Sequence, residues 1–515
     1  MGKHLPDAVR RHARERGHAR ALACEGRVLS YSEFDSRTNR LARALLAQAP
    51  AGSRIGSLTR TRIEPGEVLL ACAKAGLVAV PLNWRLAVPE LVAVAQNAEL
   101  KILVAEPDFL PAALAVRDAV PGLLLVVTGT EPAGDVAAYE PWLAAHPDDD
   151  PGRGSDADVD EVTLQLYTSG TTGLPKGVLI THRNLYSDQE TLDEYLWDGE
   201  SVSFDAMPMF HIGGCGWLIN ALCAGAFTIM LPDFAPETAV EVMEREGVTH
   251  AFFVPAVLQM VTALPGIEAR DFSRLRLVVY GASPITPALL RRSMTVFGCS
   301  FMQKYGLTET VGNVARLLPH EHDPDGDRQY LLQSTGRPKP DVEVMVVDPV
   351  TGEPAPAGMV GEIYTRSRHN TPGYWKRPEE TDALYAADGW LRTGDAGHLD
   401  TDGYLYVTDR MKDMVITGGE NVYPIEVESV LAEHPAIADV AVIGVPHEKW
   451  GEEVTAVVVP RQGVPVPTES ELIDFTRERI ASYKKPRRVH FVDALPRNPS
   501  GKILKRELRA GIRND

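Results

Sequence analysis

Short apolar runs alternate with amphipathic stretches along the first three quarters of the chain. The runs predict strands and the stretches predict helices, because a strand buried on both faces is apolar throughout while a helix keeps a polar face. The predicted strands are 77–82, 101–105, 123–127, 248–254, 275–280 and 342–347. The predicted helices between them are 37–46, 89–96 and 287–296. This alternation is typical of βαβ units, so we expect an α/β fold with a large N-terminal domain of parallel and mixed sheets and flanking helices.

The pattern changes after Arg410. Pro424 is expected to begin a helix, since proline is tolerated in the first helical turn. Predicted elements then follow in the order strand, strand, helix, strand and closing basic helix, the first four at 440–444, 454–459, 469–480 and 489–492. An α+β unit of about 100 residues has the usual size of a domain. We therefore expect two domains, 1–410 and 411–515, with the polar stretch 148–158 as a surface loop of the first or a joint between its subdomains.

Composition and charge exclude several classes of protein. The 515 residues are 44% hydrophobic and 24% charged, which is typical of a globular chain. Lys and Arg total 52 against 70 Asp and Glu, a formal net charge of -18, so we expect no nucleic-acid partner. The five cysteines are far apart and form no CxxC, which argues against a zinc ribbon or a disulfide framework and favours small buried residues in a reducing compartment.

Two segments bear on membranes and targeting. The run 212–231 is uncharged, but its glycines and Asn220 favour a buried helix followed by a strand over a membrane span. The N-terminus has no apolar core of the signal-peptide type. We therefore expect a cytoplasmic protein without integral membrane association.

The segment 167–178, YTSGTTGLPKGV, joins two apolar stretches through a loop of serine, threonine and glycine. Glycines let backbone N–H groups approach an anion closely, hydroxyls add donors, and Lys176 adds a positive charge. The spacing differs from the Walker A motif, because Gly173 lies only three residues before Lys176. A flexible linker is the alternative, but the flanking apolar strands favour a phosphate-binding loop.

This loop resembles the signature of the adenylate-forming superfamily, which includes acyl-CoA synthetases, luciferase-like enzymes and peptide-synthetase adenylation domains. Further motifs of that superfamily follow in order over almost the whole chain: FHIGG at 210–214, YGAS at 280–283, YGLTE at 305–309, TGD at 393–395, DRMKDMVITGGENVYP at 409–424 and PRNPSGK at 496–502. The chain is most similar to AMP-forming acyl-CoA synthetases, the fatty-acid–CoA ligases, through GGENVYPIEVE and EKWGEEV. The resemblance implies that MgATP activates a carboxylic acid as acyl-AMP and that coenzyme A then accepts the acyl group.

The resemblance also implies a nucleotide site. Tyr305 would stack on adenine, Asp395 would hold the ribose, and Arg410 would contact ribose or phosphate. Glu309 would be the Mg²⁺ ligand, since this hard cation suits one carboxylate together with phosphates; a plain surface acid is the alternative. The implied ATP- or AMP-binding residues are Thr168, Ser169, Gly170, Thr171, Thr172, Gly173, Lys176, Gly281, Ala282, Ser283, Tyr305, Gly306, Thr308, Asp395, Arg410 and Lys502. The implied catalytic residues are Lys502, Thr168, Glu309 and His211.

Two lysines are singled out by their motifs. Lys502, taken alone, is an exposed loop residue, but by resemblance it bridges carboxylate and α-phosphate oxygens, which suits a point charge on a flexible stem. Lys412 lies at the position of the superfamily's hinge. The resemblance therefore implies that 411–515 is a mobile lid that rotates between two half-reactions.

His211 bears on the identity of the acid. Peptide synthetases usually carry an aspartate there to hold an α-amino group, so the histidine argues against an α-amino acid; a core histidine is the alternative. The implied acyl pocket is lined by His211, Gly213, Gly214, Trp217 and Gly312. Gly213 and Gly214 would leave room for a long or bulky tail, while Trp217 would shorten the pocket. A fatty or other apolar acid is the first expectation and an aryl or alicyclic acid the second.

The acceptor site rests on residues near the C-terminus. By resemblance the CoA-binding residues are Gly418, Gly419, Trp450, Tyr483, Lys485 and Arg487. Interleaved aromatic and basic side chains suit a nucleotide with a 3′-phosphate, although SYKKPRR also fits a generic basic patch. A carrier-protein thiol and an amine are alternative acceptors, and a catalytically silent nucleotide-binding protein is an alternative of another class. The resemblance is compatible with a homodimer.

Acidic and histidine residues at 320–327 invite a metal interpretation. Their spacing does not fit an EF-hand, because Gly326 comes too early. We expect this segment to be a solvated loop.

Overall fold

The computed structural model describes residues 4–129, 136–153, 157–168, 175–417, 420–447, 449–497 and 503–512. In these ranges the strands β1 to β25 are, in chain order, Arg20–Cys24, Arg27–Ser30, Arg54–Leu58, Val78–Pro81, Ile102–Ala105, Leu124–Val127, Ala137–Ala138, Val162–Thr168, Lys176–Thr181, Val202–Asp205, Phe227–Met230, His250–Phe253, Leu277–Gly281, Ser300–Tyr305, Ala315–Leu317, Arg337–Pro338, Val342–Val347, Gly361–Ser367, Leu391–Leu399, Leu405–Arg410, Val415–Thr417, Glu420–Val422, Ile437–His447, Gly451–Pro460 and Arg488–Phe491. The α-helices α1 to α15 are Leu5–Arg16, Tyr31–Leu46, Ile63–Ala75, Val88–Ala98, Leu110–Ala119, Tyr139–Ala144, His182–Tyr186, Ile212–Ala224, Pro236–Arg245, Pro255–Thr262, Pro287–Phe297, Pro378–Leu384, Pro424–Ala432, Glu469–Arg477 and Lys505–Ile512.

A nine-stranded sheet forms the larger part of the N-terminal region. Its order is β16-β15-β14-β13-β12-β10-β11-β1-β2, and the six strands from β14 to β1 run parallel. Strands β10 to β13 are buried along their whole length, as apolar parallel strands require. Their carboxyl ends therefore share one edge, where ligand sites of α/β sheets usually form.

A seven-stranded sheet lies earlier in the chain, in the order β7-β6-β5-β3-β4-β8-β9. It is parallel except for its last pair, in which β8 and β9 form an antiparallel hairpin. That hairpin carries the predicted phosphate loop at its tip.

The chain changes sheet after Arg410. An antiparallel four-stranded sheet, β17-β18-β19-β20, ends at Arg410, and the first strand of a separate five-stranded sheet begins at Val415. The five-stranded sheet contains only β21 to β25, with its own apolar core around Val442, Ala456 and Leu472. The expected α/β architecture, a large N-terminal sheet domain with a small C-terminal domain, is confirmed.

Most predicted elements have the expected type, and three details differ. The run 342–347 forms a strand, but in the antiparallel sheet, since an apolar run does not reveal the direction of its partner. Helix α2 begins at Tyr31 rather than at 37, because Ser30 and Glu33 form a reciprocal capping box. In the segment at 320–327, Glu321 and His322 are buried rather than solvated: Tyr404 donates to the Glu321 carboxylate, and Tyr280 donates to Nε2 of His322.

The helix and strand expected for the run 212–231 are confirmed, and four of the five cysteines are buried as expected. All five cysteines are free, and Cys299 alone is half-buried while the other four are buried. The run forms helix α8 and strand β11. No helix in the described part of the chain has the length and apolar character needed to cross a membrane.

Candidate active site

Three of the predicted motifs follow the carboxyl ends of parallel strands in the nine-stranded sheet. FHIGG comes after β10, YGAS spans the end of β13, and YGLTE begins with the last residue of β14. Strands β13 and β14 are direct neighbours, with Gly281 opposite Lys304. The sheet thus brings together at one edge residues that are far apart in sequence.

The end of β13 shows a close approach and a strained backbone. A Cβ built on Gly281 would lie 2.3 Å from the carbonyl oxygen of Lys304, so only glycine fits there. The next residue, Ala282, has φ +68°, a left-handed conformation that is rare for alanine. Such strain is found preferentially at functional sites, and here it turns the chain over the sheet edge and places the half-buried Ser283 beside it.

The segment after β14 is a tight turn that presents Glu309. The amide of Gly312 donates to the carbonyl of Leu307 over 2.8 Å, and a Cβ on Gly306 would lie 2.4 Å from the backbone of Gly312. Thr308 begins a short 3₁₀ turn in which Glu309 is half-buried. Gly312 has φ +72° and open space where a side chain would be, which is compatible with a pocket wall.

Tyr305 and Asp395 are in direct contact. The Tyr305 hydroxyl donates to Oδ2 of Asp395 over 2.7 Å, and Asp395 is only 5% exposed. Asp395 lies in β19, where its partner across the antiparallel pair is Arg410, whose side chain is outside the described structure. The structure therefore brings together the residues predicted to hold adenine and ribose.

The phosphate loop is described only at its two ends. Thr168 and Lys176 are opposite each other in the β8–β9 hairpin. Nζ of Lys176 lies 4.9 Å from the centroid of the Tyr374 ring, a cation–π distance. The Tyr374 hydroxyl in turn donates to Oε1 of Glu309 over 2.8 Å. Tyr374 thus links the loop's lysine to the predicted Mg²⁺ ligand, a connection that the motifs did not predict.

The donors at this place can be compared with what Mg²⁺ requires. Within the described ranges, His, Cys, Asp and Glu form no group of three or more that could hold a metal ion. Glu309 therefore does not belong to a protein cage of carboxylates. A single carboxylate fits an Mg²⁺ ion whose other ligands are phosphates and water, so the residues present fit an ion delivered with a nucleotide.

His211 is the N-cap residue of α8 and lies against Phe210, with 4.6 Å between ring centroids. Burial, with a smaller contribution from the charge of Arg85, lowers the pKa of His211 to about 4, so its imidazole is neutral at pH 7. Its Nε2 is buried and has no hydrogen-bond partner among the described residues. Because buried polar atoms in native proteins usually have a hydrogen-bond partner, this unpaired nitrogen is compatible with a position beside a ligand.

The first turn of α8 meets an aromatic wall. A Cβ on Gly213 would lie 3.0 Å from the Phe252 ring, so this glycine faces Phe252. Trp217 is buried, donates from Nε1 to the carbonyl of Phe204 over 3.1 Å, and lies 6.2 Å from Phe252 between ring centroids. The room we expected at Gly214 is taken by backbone, since a Cβ there would lie 2.4 Å from the carbonyl oxygen of Pro208. Gly214 therefore has a packing role, and the Phe252 ring lies next to both Gly213 and Trp217.

The predicted acceptor residues lie in the C-terminal domain. The guanidinium of Arg487 lies 4.2 Å from the Trp450 ring, and Nζ of Lys449 lies 4.7 Å from the same ring. Tyr483 is 42% exposed and Lys485 is half-buried. An open cavity of about 610 Å³ is lined by Val445, Pro446, His447, Lys449, Glu453 and Arg488, so it shares Lys449 with the Trp450 contact. None of these six was among the predicted CoA-binding residues, although Lys449 lies inside EKWGEEV, His447 directly precedes it and Arg488 ends SYKKPRR.

Several predicted residues lie outside the described part of the chain, and their placement stays a prediction. They are Ser169, Gly170, Thr171, Thr172, Gly173, Gly418, Gly419 and Lys502. The same holds for the side chain of Lys412. Conversely, the structure adds Tyr374 and Phe252 to the site. The tyrosine falls in GYW at 373–375 and the phenylalanine in an apolar strand, and neither pattern signals a role.

Comparisons with known proteins cover nearly the whole chain. The chain is 41% identical to the fatty acid–[acyl-carrier-protein] ligase ScoC of Streptomyces coeruleorubidus, over 97% of this chain and 94% of that protein. It is 38% identical to a feruloyl-CoA synthase of Amycolatopsis sp, over 97% of both chains. Among solved structures, ATP-bound MatB from Rhodopseudomonas palustris superposes with a TM-score of 0.90 at 32% identity, covering 100% of this chain and 99% of that one.

The family match agrees with the geometry. Residues 9–375 match the AMP-binding enzyme family, and residues 426–502 match the C-terminal domain of AMP-binding enzymes. The first range contains the phosphate loop, the strained turn after β13 and Glu309, while Asp395 follows it. The chain therefore belongs to the AMP-binding enzyme family and is an adenylate-forming ligase.

Proposed function

We propose that this protein is an acyl-CoA synthetase that activates an apolar carboxylic acid with MgATP and passes the acyl group to coenzyme A. One observation carries the proposal. The Tyr305–Asp395 contact and the chain of contacts from Glu309 through Tyr374 to Lys176 involve the same turn after β14, and His211 follows the carboxyl end of β10 in the same sheet.

The nucleotide would be held by residues from three sheets. Tyr305 offers its ring to adenine while its hydroxyl orients Asp395, whose carboxylate accepts from the ribose hydroxyls. Thr168, Thr308 and Lys176 supply donors and positive charge to the phosphates. Glu309 would hold Mg²⁺, which when bound neutralises part of the triphosphate charge. Because these groups are in place before the reaction, little reorganisation is needed as charge develops.

The first half-reaction joins two anions. A carboxylate oxygen attacks the α-phosphorus, the new O–P bond forms, and the bond to the bridging oxygen breaks as pyrophosphate leaves with the electron pair. We assign to Lys502 the contact with carboxylate and α-phosphate oxygens, since its ammonium offsets the repulsion between them. The neutral imidazole of His211 favours an apolar acid in the pocket, because an uncharged wall does not demand a second charge on the substrate.

The second half-reaction requires another arrangement of the C-terminal domain. We assign the hinge to Lys412, in the segment between the end of β20 and the start of β21, and domains of 1–410 and 411–515 on either side. Rotation would remove Lys502 and bring Gly418 and Gly419 to the acyl-AMP. The thiol sulfur then bonds to the acyl carbon, and the thiol proton passes to solvent. The bond between the acyl carbon and the phosphate oxygen breaks, and AMP leaves with that electron pair.

Coenzyme A is favoured as acceptor by Trp450 with Arg487 and Lys449 over its ring, since a flat aromatic beside cations suits a nucleotide with phosphates. Tyr483 and Lys485 belong to the same proposed surface. A carrier-protein thiol is the second candidate, because ScoC, whose name states an acyl-carrier-protein ligase, is 41% identical over nearly the whole chain. The cytoplasmic location and the homodimer stay predictions.

The test is a screen for pyrophosphate release over fatty, aromatic and alicyclic acids, followed by product analysis with coenzyme A, a phosphopantetheinylated carrier protein or an amine. We expect acid-dependent pyrophosphate release and an acyl-CoA product. Acyl transfer to the carrier protein without acyl-CoA formation would select the second candidate. Absence of acid-dependent pyrophosphate release with every acid would contradict the activation step itself.

A further inference from the structure

Tyr374 contacts both charged groups that the proposed function assigns to MgATP. Its hydroxyl donates to Oε1 of Glu309 over 2.8 Å, and its ring lies 4.9 Å from Nζ of Lys176. We infer that Tyr374 is a positioning residue that fixes the Glu309 carboxylate for the Mg²⁺ carried by ATP and places Lys176 beside it. This inference rests on the proposed function, because it takes Glu309 as the magnesium ligand.

The backbone holds Tyr374 at the edge of the seven-stranded sheet. Tyr374 forms an antiparallel bridge with Val178 of β9. The amide of Leu179 donates to the carbonyl of Gly373 over 3.0 Å, and the amide of Trp375 donates to the carbonyl of Gly177 over 2.8 Å. Residues 373–375 therefore extend the sheet by one short strand next to β9, the strand that begins with Lys176. Tyr374 and Lys176 are thus fixed on adjacent backbones.

Side chains on both sides restrict this short strand further. The amide of Tyr374 donates to Oγ1 of Thr381 over 3.0 Å, and Nε1 of Trp375 donates to the carbonyl of Asn97 over 2.9 Å. The guanidinium of Arg54 lies 3.3 Å from the centroid of the Trp375 ring. These contacts join the short strand to helices α4 and α12 and to strand β3, so the backbone that bears the Tyr374 ring is held in place by three elements.

The same segment holds the backbone of Glu309. The amide of Thr371 donates to the carbonyl of Glu309 over 2.8 Å, and the hydroxyl of Thr371 donates to the carbonyl of Leu179 in β9. Asn184 adds a clamp, since its amide nitrogen donates to the carbonyls of Arg368 and Asn370. Glu309 is therefore held twice by 371–374, through its carbonyl and through its carboxylate.

A magnesium ion makes the orientation of a ligating carboxylate important. Mg²⁺ demands near-ideal octahedral geometry and takes one or two carboxylates besides phosphates and water. A hydrogen bond from outside the coordination shell fixes which way such a carboxylate faces, and its loss typically lowers metal affinity 10–100-fold. Because Oε1 of Glu309 accepts from Tyr374, Oε2 would be the oxygen that faces the ion.

The test measures ATP binding directly by isothermal titration calorimetry, once with Mg²⁺ and once with EDTA, without any acid substrate. Tyr374→Phe removes the hydroxyl but keeps the ring over Lys176. We expect the Mg²⁺-dependent gain in ATP affinity to fall about tenfold, while the affinity in EDTA is unchanged. Tyr404→Phe is the matched control, because it removes a tyrosine–glutamate hydrogen bond of 2.7 Å at Glu321, outside the site.

A double-mutant cycle with Glu309→Gln separates positioning from packing. If Tyr374 acts through the Glu309 carboxylate, Tyr374→Phe adds no further loss in the Glu309→Gln background. Two outcomes would overturn the inference about Tyr374 while leaving the role of Glu309 intact. One is that the two substitutions lower the Mg²⁺-dependent gain in ATP affinity additively. The other is that Tyr374→Phe leaves this gain unchanged while Glu309→Gln clearly lowers it. If Glu309→Gln leaves the Mg²⁺-dependent gain in ATP affinity unchanged, or if the parent protein shows no such gain, the assignment of Glu309 as magnesium ligand fails and the inference fails with it.

Discussion

The hydroxyl of Tyr305 donates a 2.7 Å hydrogen bond to the carboxylate of Asp395, although the two residues belong to different sheets. Tyr305 ends β14 of the nine-stranded sheet, and Asp395 lies in β19 of the antiparallel four-stranded sheet. A hydrogen bond to a carboxylate is stronger than one between neutral groups and fixes its direction. The nucleoside end of the proposed site is therefore set by the junction of two sheets.

Tyr305→Phe tests this contact. The variant keeps an aromatic face for adenine but leaves Asp395 without its tyrosine donor, so we expect KM for ATP to rise about tenfold and kcat to change less. Initial rates of pyrophosphate release at varied ATP provide the measurement, and Tyr330→Phe, at an exposed tyrosine outside the site, is the control. An unchanged KM for ATP would show that the hydroxyl does not serve nucleotide binding.

Lys502→Ala separates the two half-reactions. Without the ammonium that bridges two anions, we expect exchange of pyrophosphate into ATP to fall at least a thousandfold, on the order of 4 kcal/mol of lost transition-state stabilisation. Conversion of supplied acyl-AMP to product should persist, because that step does not need Lys502. Arg506→Ala removes an exposed positive charge four residues further along the chain and serves as the control. Exchange at the parent rate in Lys502→Ala would contradict the assignment.

The edge of the nine-stranded sheet was predicted well from the sequence, because a buried parallel strand is recognised from a short apolar run of neighbouring residues. The run of β13 is apolar on both faces, so its burial follows directly, and the motif after it must lie where parallel strands end. The same signal does not state strand direction, which is why 342–347 was placed with the parallel strands. The start of α2 could have been predicted from the capping box of Ser30 and Glu33, whereas hydrophobic periodicity alone placed it too late.

Contacts between distant segments were beyond the sequence. Tyr374 pairs with Val178 only because residues 373–375 reach the open edge of β9, and no spacing rule connects two such separated segments. The length of the proposed acyl pocket could not be predicted for the same reason. Alternation along β12 requires Phe252 and Phe253 to face opposite sides of the sheet, but it does not tell which of them meets Gly213.

Phe252→Leu should change the preferred length of the acid. Phe252 lies against Gly213 in the first turn of α8, so a smaller side chain lengthens the space beside that helix. Because each added methylene that finds room is worth ~1–3 kcal/mol, we expect kcat/KM for longer acids to rise about tenfold relative to shorter ones. Phe253→Leu is the matched control, since its side chain packs on the other side of β12 against Phe204 and Phe297. Equal shifts in both variants would contradict this placement of the pocket.

His250 gives a prediction for stability against pH. It is fully buried, its Nε2 bonds the carbonyl of Tyr195 over 2.9 Å, and its ring stacks on Trp197 at 4.0 Å between centroids. Burial lowers its pKa to about 4 from the ordinary 6.5. Between pH 4 and pH 6.5 this histidine is protonated in the unfolded chain but neutral in the folded protein. Its contribution to the free energy of unfolding is therefore complete above pH 6.5 and is lost as the pH falls towards 4.

His250→Gln should therefore be less stable than the parent at pH 7.5, where it loses native contacts, but should lose less stability on acidification. From pH 7 to pH 5 this one histidine accounts for about 2 kcal/mol of the parent's decline in unfolding free energy. Urea unfolding followed by fluorescence at both pH values measures the difference, with His18→Gln, at an exposed histidine, as the control. Parallel pH profiles for His250→Gln and the parent would mean that the buried imidazole accepts a proton in the folded protein as readily as in the unfolded chain.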